Sequence, residues 1–342
     1  VHLAVDVVEE VARIIGYDHI PVTMLSSPIP PREPDQTLIF KEKVRDILIS
    51  CGLQEVITYS LTSVEMLGKS IPPSRDRGPA PIRIANPMTA EQEYLRTNLR
   101  SGILSTLAAN EKQEDGDMGL FEIGKIYLSR GGDLPEEREM VTALLSGHRF
   151  GPSWRGGEVQ DFFNAKGIME TLLGHLGIEA DFEVGEDEGL HPGITAVIIV
   201  EDSQVGVVGK LSHNVAENFG LSFPVYLLEI ELEKLLPYHI RAIRQYCPLA
   251  KFPGSIRDIA VVVDKKIASK RVSSLIQSFP LVNRVTLFDL YTGGQIPPDK
   301  KSLAYRIIYQ SPTHTLTDEE VDKTQAKILD KLGSELGATL RA

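Results

Sequence analysis

Asp6, Glu9, Glu10 and Arg13 stand at i, i+3, i+4 and i+7, so a helix through them carries three carboxylates and one guanidinium on a single face. Carboxylates placed in this way repel one another unless a cation or a partner's basic groups offset them, which makes the face a candidate metal-ligating set. The same residues suit the first turn of a helix, where the positive end of the dipole favours acidic side chains. A second set is basic and aromatic: Arg257, Arg284, Lys300, Lys301 and Arg306, with Phe288 and Tyr291 among them. Lys and Arg steer phosphates, and exposed rings stack splayed single-stranded bases. Plainer roles fit too, since Phe288 alternates with apolar neighbours and Lys300 and Lys301 suit a solvated loop. The sequence has no G-x-x-x-x-G-K-[ST] loop, no G-x-S-x-G elbow and no H-E-x-x-H helix. His191 and His213 fall in the turns "LHPG" and "LSHN", where local hydrogen bonding is their ordinary role. Cys51 and Cys247 lie far apart, which excludes a disulfide framework and a zinc site of paired cysteines and leaves both as small buried hydrophobes.

The elements that must position these groups follow from periodicity. "DVVEEVARIIGYDHIP" spaces Val7, Val8, Val11, Ile14 and Ile15 as a helix, with Gly16 as a left-handed cap and Pro21 closing the unit. "SSPIPPREPD" is a stiff, proline-rich connector. "QTLIFKEKVRDILISCGL" lines Phe40, Val44, Ile47, Leu48 and Cys51 along one helical face, to be buried in its own module or against a partner. From Gln54 to about Tyr238 come the strands "EVITYSLT" and "IRIANP", the helix "YLRTNLRSGILSTLAANEKQ", the alternating strand "GLFEIGKIYL" and "MVTALLSG". "FFNAKGIMETLLGHLG", "ITAVIIV", "VGVVGKLS" and "VYLLEIELEKLL" follow. Short turns between strands, with helices between groups of them, predict a mainly antiparallel sheet covered by helices. Beyond Cys247 the order is strand, helix, strand, strand, helix, strand, that of a ferredoxin-like fold. Thr317 and Glu320 form a capping box for its second helix.

Composition agrees with well-packed domains: 342 residues, 42% hydrophobic and 24% charged. No apolar run is long enough to span a bilayer and no signal peptide is legible, so a cytoplasmic setting is expected. The net charge of −11 is uneven. Pro248 to Ala342 holds 14 Lys and Arg against 10 Asp and Glu, while the rest of the chain carries −15. An acidic body does not attract nucleic acid in general, but a basic terminal domain contacts phosphates locally. The chain opens on Val1 inside a helical turn and is expected to be a piece of a longer protein.

"DVVEEVARIIGYDHIP", "LRTNLRSGILSTLAANEK", "FEIGKIY", "DFFNAKG", "SIRDIAVVVD" and "LFDLYTGGQIPPDKKSLAYRIIYQSPTHTLTDEEV" together resemble the C-terminal half of bacterial phenylalanyl-tRNA synthetase beta subunits. The resemblance implies an α+β chain: the tail of a winged-helix-like (B5) domain over 1–25, a linker over 26–35, a class II synthetase-like antiparallel module over 36–246, and a ferredoxin-like anticodon-binding domain over 247–342. The family's editing domain would lie upstream. The resemblance also implies a magnesium site shared with the alpha subunit at Asp6, Glu9 and Glu10, with a further ligand before Val1 and hence incomplete here. Class II enzymes hold ATP with an Arg on the second signature strand and another on a Gly-rich third signature. Leu128 stands where the first is expected, unless a register slip brings Arg130 there, and "VYLLEIELEKLL" is acidic, without Gly or Arg. Ile194 likewise replaces the Arg that follows "HPG" in the family. The module is therefore expected to be catalytically silent, with no catalytic residue of its own. The helix at Gln36 to Cys51 resembles the first signature, which joins alpha and beta subunits. The implied whole is an alpha2beta2 heterotetramer acting on tRNA(Phe). A freestanding RNA-binding or regulatory paralogue and an autonomous class II ligase are the rival readings. Arg257, Lys300 and Lys301 are expected to share one anticodon-stem contact.

Overall fold

The computed structural model describes residues 3–24, 26, 35–71, 80–112, 118–148, 159–242, 246, 248–294 and 296–341. Cys247 and all of the expected linker except Ser26 and Asp35 lie outside them. The chain divides into two compact units, Val1–Arg244 and Gln245–Ala342, and each is described by itself.

The first unit opens with α1 (Ala4–Ile15), which buries none of its side chains. Gly16 ends it at φ +99° and ψ 131°, a positive φ outside the left-handed helical well expected for this cap. In α2 (Gln36–Ser50), Asp35 caps the first turn by accepting from Thr37 N–H, and Gly52 turns the chain away at φ +87°. The expected apolar face is buried inside its own unit at Phe40, Val44, Ile47 and Leu48, with Cys51 half-buried. "EVITYSLT" is strand only at β1 (Gln54–Glu55) and β2 (Leu61–Thr62). α3 (Val64–Ser70) follows. "IRIANP" forms a single bridge, Arg83 to Tyr94, beside β3 (Tyr94–Leu95).

Next in order are α4 (Arg100–Glu111), β4 (Met118–Leu128), β5 (Glu136–Ser146), α5 (Phe162–Leu176), β6 (Asp181–Val184), β7 (Leu190–Val200), β8 (Ser203–Leu211), α6 (His213–Phe219), β9 (Val225–Glu231) and α7 (Leu232–Arg241). Seven strands form one sheet in the order β1-β4-β5-β9-β8-β7-β6. Only the β1–β4 pair is parallel. Alternation sends Phe121, Val141, Leu228 and Ile230 to one face, under α2, α5 and α7. Leu120, Leu144, Val207 and Leu227 go to the other, against Ile103, Leu104 and Leu107 of α4 and Val215 of α6.

The second unit runs β10 (Ser255–Asp264), α8 (Ser269–Gln277), β11 (Val282–Tyr291), β12 (Lys300–Tyr309), α9 (Asp318–Leu336) and β13 (Thr339–Leu340). Its sheet order, β11-β12-β10-β13, is that of a ferredoxin-like fold. Ile259, Val261, Val263, Leu303, Tyr305, Ile307 and Tyr309 meet Val272 and Ile276 of α8 and Val321, Ile328 and Leu332 of α9 in one core. The Tyr305 hydroxyl donates to Ser269 O at 3.0 Å and pins the start of α8 to the sheet. Among the described residues the opposite sheet face carries no helix of this unit.

Candidate functional site

Two places concentrate polar side chains on rigid elements. The first is a rung across the seven-stranded sheet, where Glu122 of β4 pairs with Thr142 of β5, and Thr142 with Glu229 of β9. Period-two alternation puts all three on the α4 side of the sheet. Arg96, in the segment after β3, and Arg100, the first residue of α4, stand four residues apart in "RTNLR" and meet the two carboxylates. Arg96 Nη1 donates to Glu122 Oε1 at 2.7 Å and to Thr58 Oγ1 at 3.1 Å, and its Nε donates to Lys125 O at 2.8 Å. Thr58 Oγ1 donates to the second Glu122 oxygen at 2.8 Å. Arg100, with a side chain 5% exposed, grips Glu229 at 2.8 and 3.0 Å and Asp187 at 2.7 and 2.9 Å. Thr142 Oγ1 closes the set on Glu229 at 3.2 Å.

Burial works against the charge on Arg100, but Glu229 and Asp187 outweigh it and raise its pKa above the ordinary guanidinium value. Burial likewise pushes Asp187 up, yet its bonds to Arg100 leave its carboxyl below the usual range. Gly124, the glycine of "FEIGKIY", is required by this packing, because a Cβ there would overlap Arg96 Nη2. Gly102 of α4 makes room for Thr58 in the same way.

This arrangement bears on phosphate chemistry. A triphosphate needs forked donors with unfilled hydrogen bonds, and both buried arginines of the rung are closed by carboxylates of the same chain. Leu128 is the last residue of β4, opposite Glu136, and Arg130 pairs with Glu136 at 3.5 Å. The stretch laid on the third signature forms β9 and α7, and its Glu229 accepts from Arg100.

The metal set on α1 does not gather. Asp6 Oδ2 accepts from Leu3 N–H at 3.0 Å, and Glu10 is paired with Arg13. Among the described residues no group of three or more His, Cys, Asp or Glu stands where it could hold a metal ion. Asp6, Glu9 and Glu10 as placed therefore do not fit a magnesium cage. His213 pairs with Glu217 at 3.1 Å, and His191 Nδ1 accepts from Gly193 N–H at 3.1 Å, both local contacts. Ile194 packs against the sheet core. Burial raises the pKa of the Cys51 thiol, as suits an inert side chain.

The second place is the helix-free face of the ferredoxin-like sheet. Arg306 of β12 rises from it, held by Asp258 of β10 through Nε at 2.9 Å and Nη2 at 2.8 Å, and its guanidinium lies 5.5 Å from the centre of the Phe288 ring. Phe288 is 53% exposed and sits at a bulge between Leu287 and Asp289 rather than in the core. Arg341 follows β13 and anchors its N–H on Ala260 O at 2.8 Å. Its guanidinium reaches across β10 and β12 to within 4.6 Å of the Tyr291 ring centre. Ala260, Ser302 and Ala304 form a low floor beneath that path, and Gly293 lies where a Cβ would overlap the Tyr291 hydroxyl. Arg284 is exposed on the edge strand β11.

Arg257 is not part of this face. It alternates with Ile259 and Val261 toward the helices and pairs with Asp318 of α9 at 2.6 Å. Arg257 is opposite Ile307 while Lys301 is opposite Val263, six rungs away, or about 20 Å at strand rise. The trio expected to form one contact is thus split between opposite ends of the sheet. Sequence reasoning missed Arg96, Arg100, Asp187, Glu229 and Arg341. The i, i+4 arginines of "RTNLR" were the one available signal; the carboxylates and Arg341 meet their partners only through strand pairing.

Comparison with known proteins places these features. Residues 20–232 match the family model described as phenylalanyl tRNA synthetase beta chain CLM domain, and residues 250–341 match the ferredoxin-fold anticodon binding domain. The phenylalanine–tRNA ligase beta subunit of Dehalococcoides mccartyi is 43% identical over 99% of this chain and 41% of its own length. Those of Geobacillus kaustophilus and Clostridium acetobutylicum are 36% and 34% identical over 98% and 100% of this chain, and 42% of their own lengths. The chain thus spans about two fifths of the curated relatives it matches. A solved pyrrolysyl-tRNA synthetase from Desulfitobacterium hafniense overlaps 60% of this chain and 70% of its own at 18% identity and a TM-score of 0.46, too loosely to define a fold. With a beta-chain model covering most of the first unit and an anticodon-binding model covering most of the second, the chain belongs to the phenylalanyl-tRNA synthetase beta chain family.

Proposed function

We propose that this chain is a non-catalytic part of a phenylalanine–tRNA ligase beta subunit, supporting a catalytic alpha subunit and positioning tRNA(Phe) for ATP-dependent aminoacylation. The assembly is an alpha2beta2 heterotetramer in the cytoplasm. One observation carries the reading: the helix-free sheet face of the second unit presents two rings, Phe288 and Tyr291, each beside a guanidinium. Rings stack any base through its π face, and arginines add cation–π attraction and charge. The first unit supports the same division of labour, since the two buried arginines of its sheet rung, Arg96 and Arg100, face their own carboxylates.

The test uses the full-length subunit assembled with its alpha partner. Phe288→Ala and Tyr291→Ala are each expected to weaken tRNA(Phe) binding by about 5- to 150-fold, the range for removing one stacked base. Calorimetry with ATP is expected to register binding only when the alpha subunit is present. Unchanged tRNA affinity in both variants, or ATP binding to the beta subunit alone, would sink the proposal.

A further inference from the structure

The two carboxylates on Arg100 are held in unlike ways. Glu229 sits in mid-strand, paired with Thr142 on one side and Val207 on the other, so it cannot leave the guanidinium without parting three strands. Asp187 belongs to the short connection 185–189 between β6 and β7. That connection is tied at both ends: Gly185 N–H donates to Thr195 O at 3.3 Å, and Gly189 O accepts from Ser212 N–H at 3.0 Å. Between the ties, Glu186 and Glu188 on either side of Asp187 are exposed. The Asp187 side chain is 20% exposed, against 5% for Arg100 and 15% for Glu229, so it is the member of the cluster nearest to solvent. Gly189 lets the connection lie close, since a Cβ there would come within 3.1 Å of Arg100 Nη1.

Asp187 fills one edge of the guanidinium: Nη1 donates to Oδ1 at 2.7 Å and Nη2 to Oδ2 at 2.9 Å, two bonds from separate nitrogens. Glu229 takes the adjacent edge through Nε and Nη2. A two-bond fork is the geometry in which arginine receives any carboxylate, and neither bond to Asp187 requires that carboxylate to belong to the chain. The tether decides the competition. A carboxylate on a short connection stands at an effective concentration of about millimolar or above, and the exposed Glu186 and Glu188 repel an approaching anion. We infer that Asp187 is a built-in blocking ligand, an autoinhibitory contact that occupies a carboxylate subsite at Arg100 and keeps free carboxylates out of it. The inference goes beyond the RNA-positioning role and does not depend on it.

The full-length subunit assembled with its alpha partner provides the test, read by hydrogen exchange of the α4 and β9 amides. In Asp187→Ala these amides are expected to exchange at least about tenfold faster, because Arg100 keeps only one of its two carboxylates. Sodium formate, titrated against sodium chloride at constant ionic strength, is expected to restore the wild-type rates with a midpoint of about millimolar or above. Wild-type protein and Asp187→Asn, whose amide still fills the place, are expected not to respond. Formate that leaves Asp187→Ala unchanged, or that slows exchange equally in wild type, overturns the inference. So does equal recovery with added sodium chloride alone, which assigns the effect to screening. If Asp187→Ala does not assemble with the alpha chain, recovery of assembly in formate supports the inference and failure there overturns it. ATP binding to the beta subunit alone sinks the function proposed above and leaves this inference standing, whereas a formate-blind Asp187→Ala sinks this inference alone.

Discussion

Arg100 illustrates how a buried charge becomes obligatory once it is enclosed. Removing either of its carboxylate partners leaves an imperfectly paired ion in the interior, so Glu229→Ala is expected to destabilise the first unit by about 3–5 kcal/mol in denaturant titration. Asp187 shows the linked pH behaviour. Its folded pKa lies below the ordinary aspartate value of 3.8, so its stabilisation is complete above that value and is lost as pH falls through the folded one. Asp187→Asn is expected to flatten the acid side of the stability curve below about pH 4, and an equally steep curve in the variant counts against this account. Gly124→Ala drives a methyl into Arg96, an overpacking expected to cost about 1–3 kcal/mol by the same titration. None of these residues was legible as a partner in the sequence. A strand's alternation tells which side Glu122 and Glu229 face, but not that an arginine will arrive from a segment far away in the chain.

Whole elements were more legible than their contacts. The long strands and the helices with a clear apolar stripe follow from periodicity, and "TDEE" announces the start of α9 by its capping box. There Thr317 Oγ1 accepts from Glu320 N–H, while Glu320 Oε2 accepts from Thr317 N–H at 2.9 Å. The Thr317 backbone bond, together with His314, holds the Glu320 carboxyl below its usual range. The cap is therefore complete above the ordinary Glu value and weakens as pH falls through the lowered one. Thr317→Ala is expected to cost about 0.5–2 kcal/mol, and Glu320→Gln to remove the acid-dependent part of α9 helicity followed by circular dichroism. "EVITYSLT" failed as a strand for a reason its pattern does not contain. After Val56 N–H bonds to Phe121 O at 2.8 Å, Thr58 turns inward to give its backbone N–H and its hydroxyl to Glu122. A buried carboxylate's need for donors outweighed the pull of alternation.

At the scale of the whole molecule, the uneven charge follows the division into units: −15 over the unit whose sheet has helices on both faces and +4 over the unit whose helices lie on one face. The class of fold, and the order of elements in the second unit, were readable because each segment's period, caps and turns agree with one another, whereas α3, β6 and α6 of the first unit were not. Which sheet face is filled and which is open could not be read, since both depend on pairings between distant segments. The resemblance led to the expectation of an arginine missing at Leu128, whereas the folded chain shows what the seven-stranded sheet holds. Glu122, Glu229 and Asp187 already occupy two arginines set side by side on that sheet. A phosphate site built on this sheet would thus have to begin with the loss of acids, not the gain of bases. Until those acids are gone, an arginine introduced at Leu128 would add a donor beside a face that is already self-liganded.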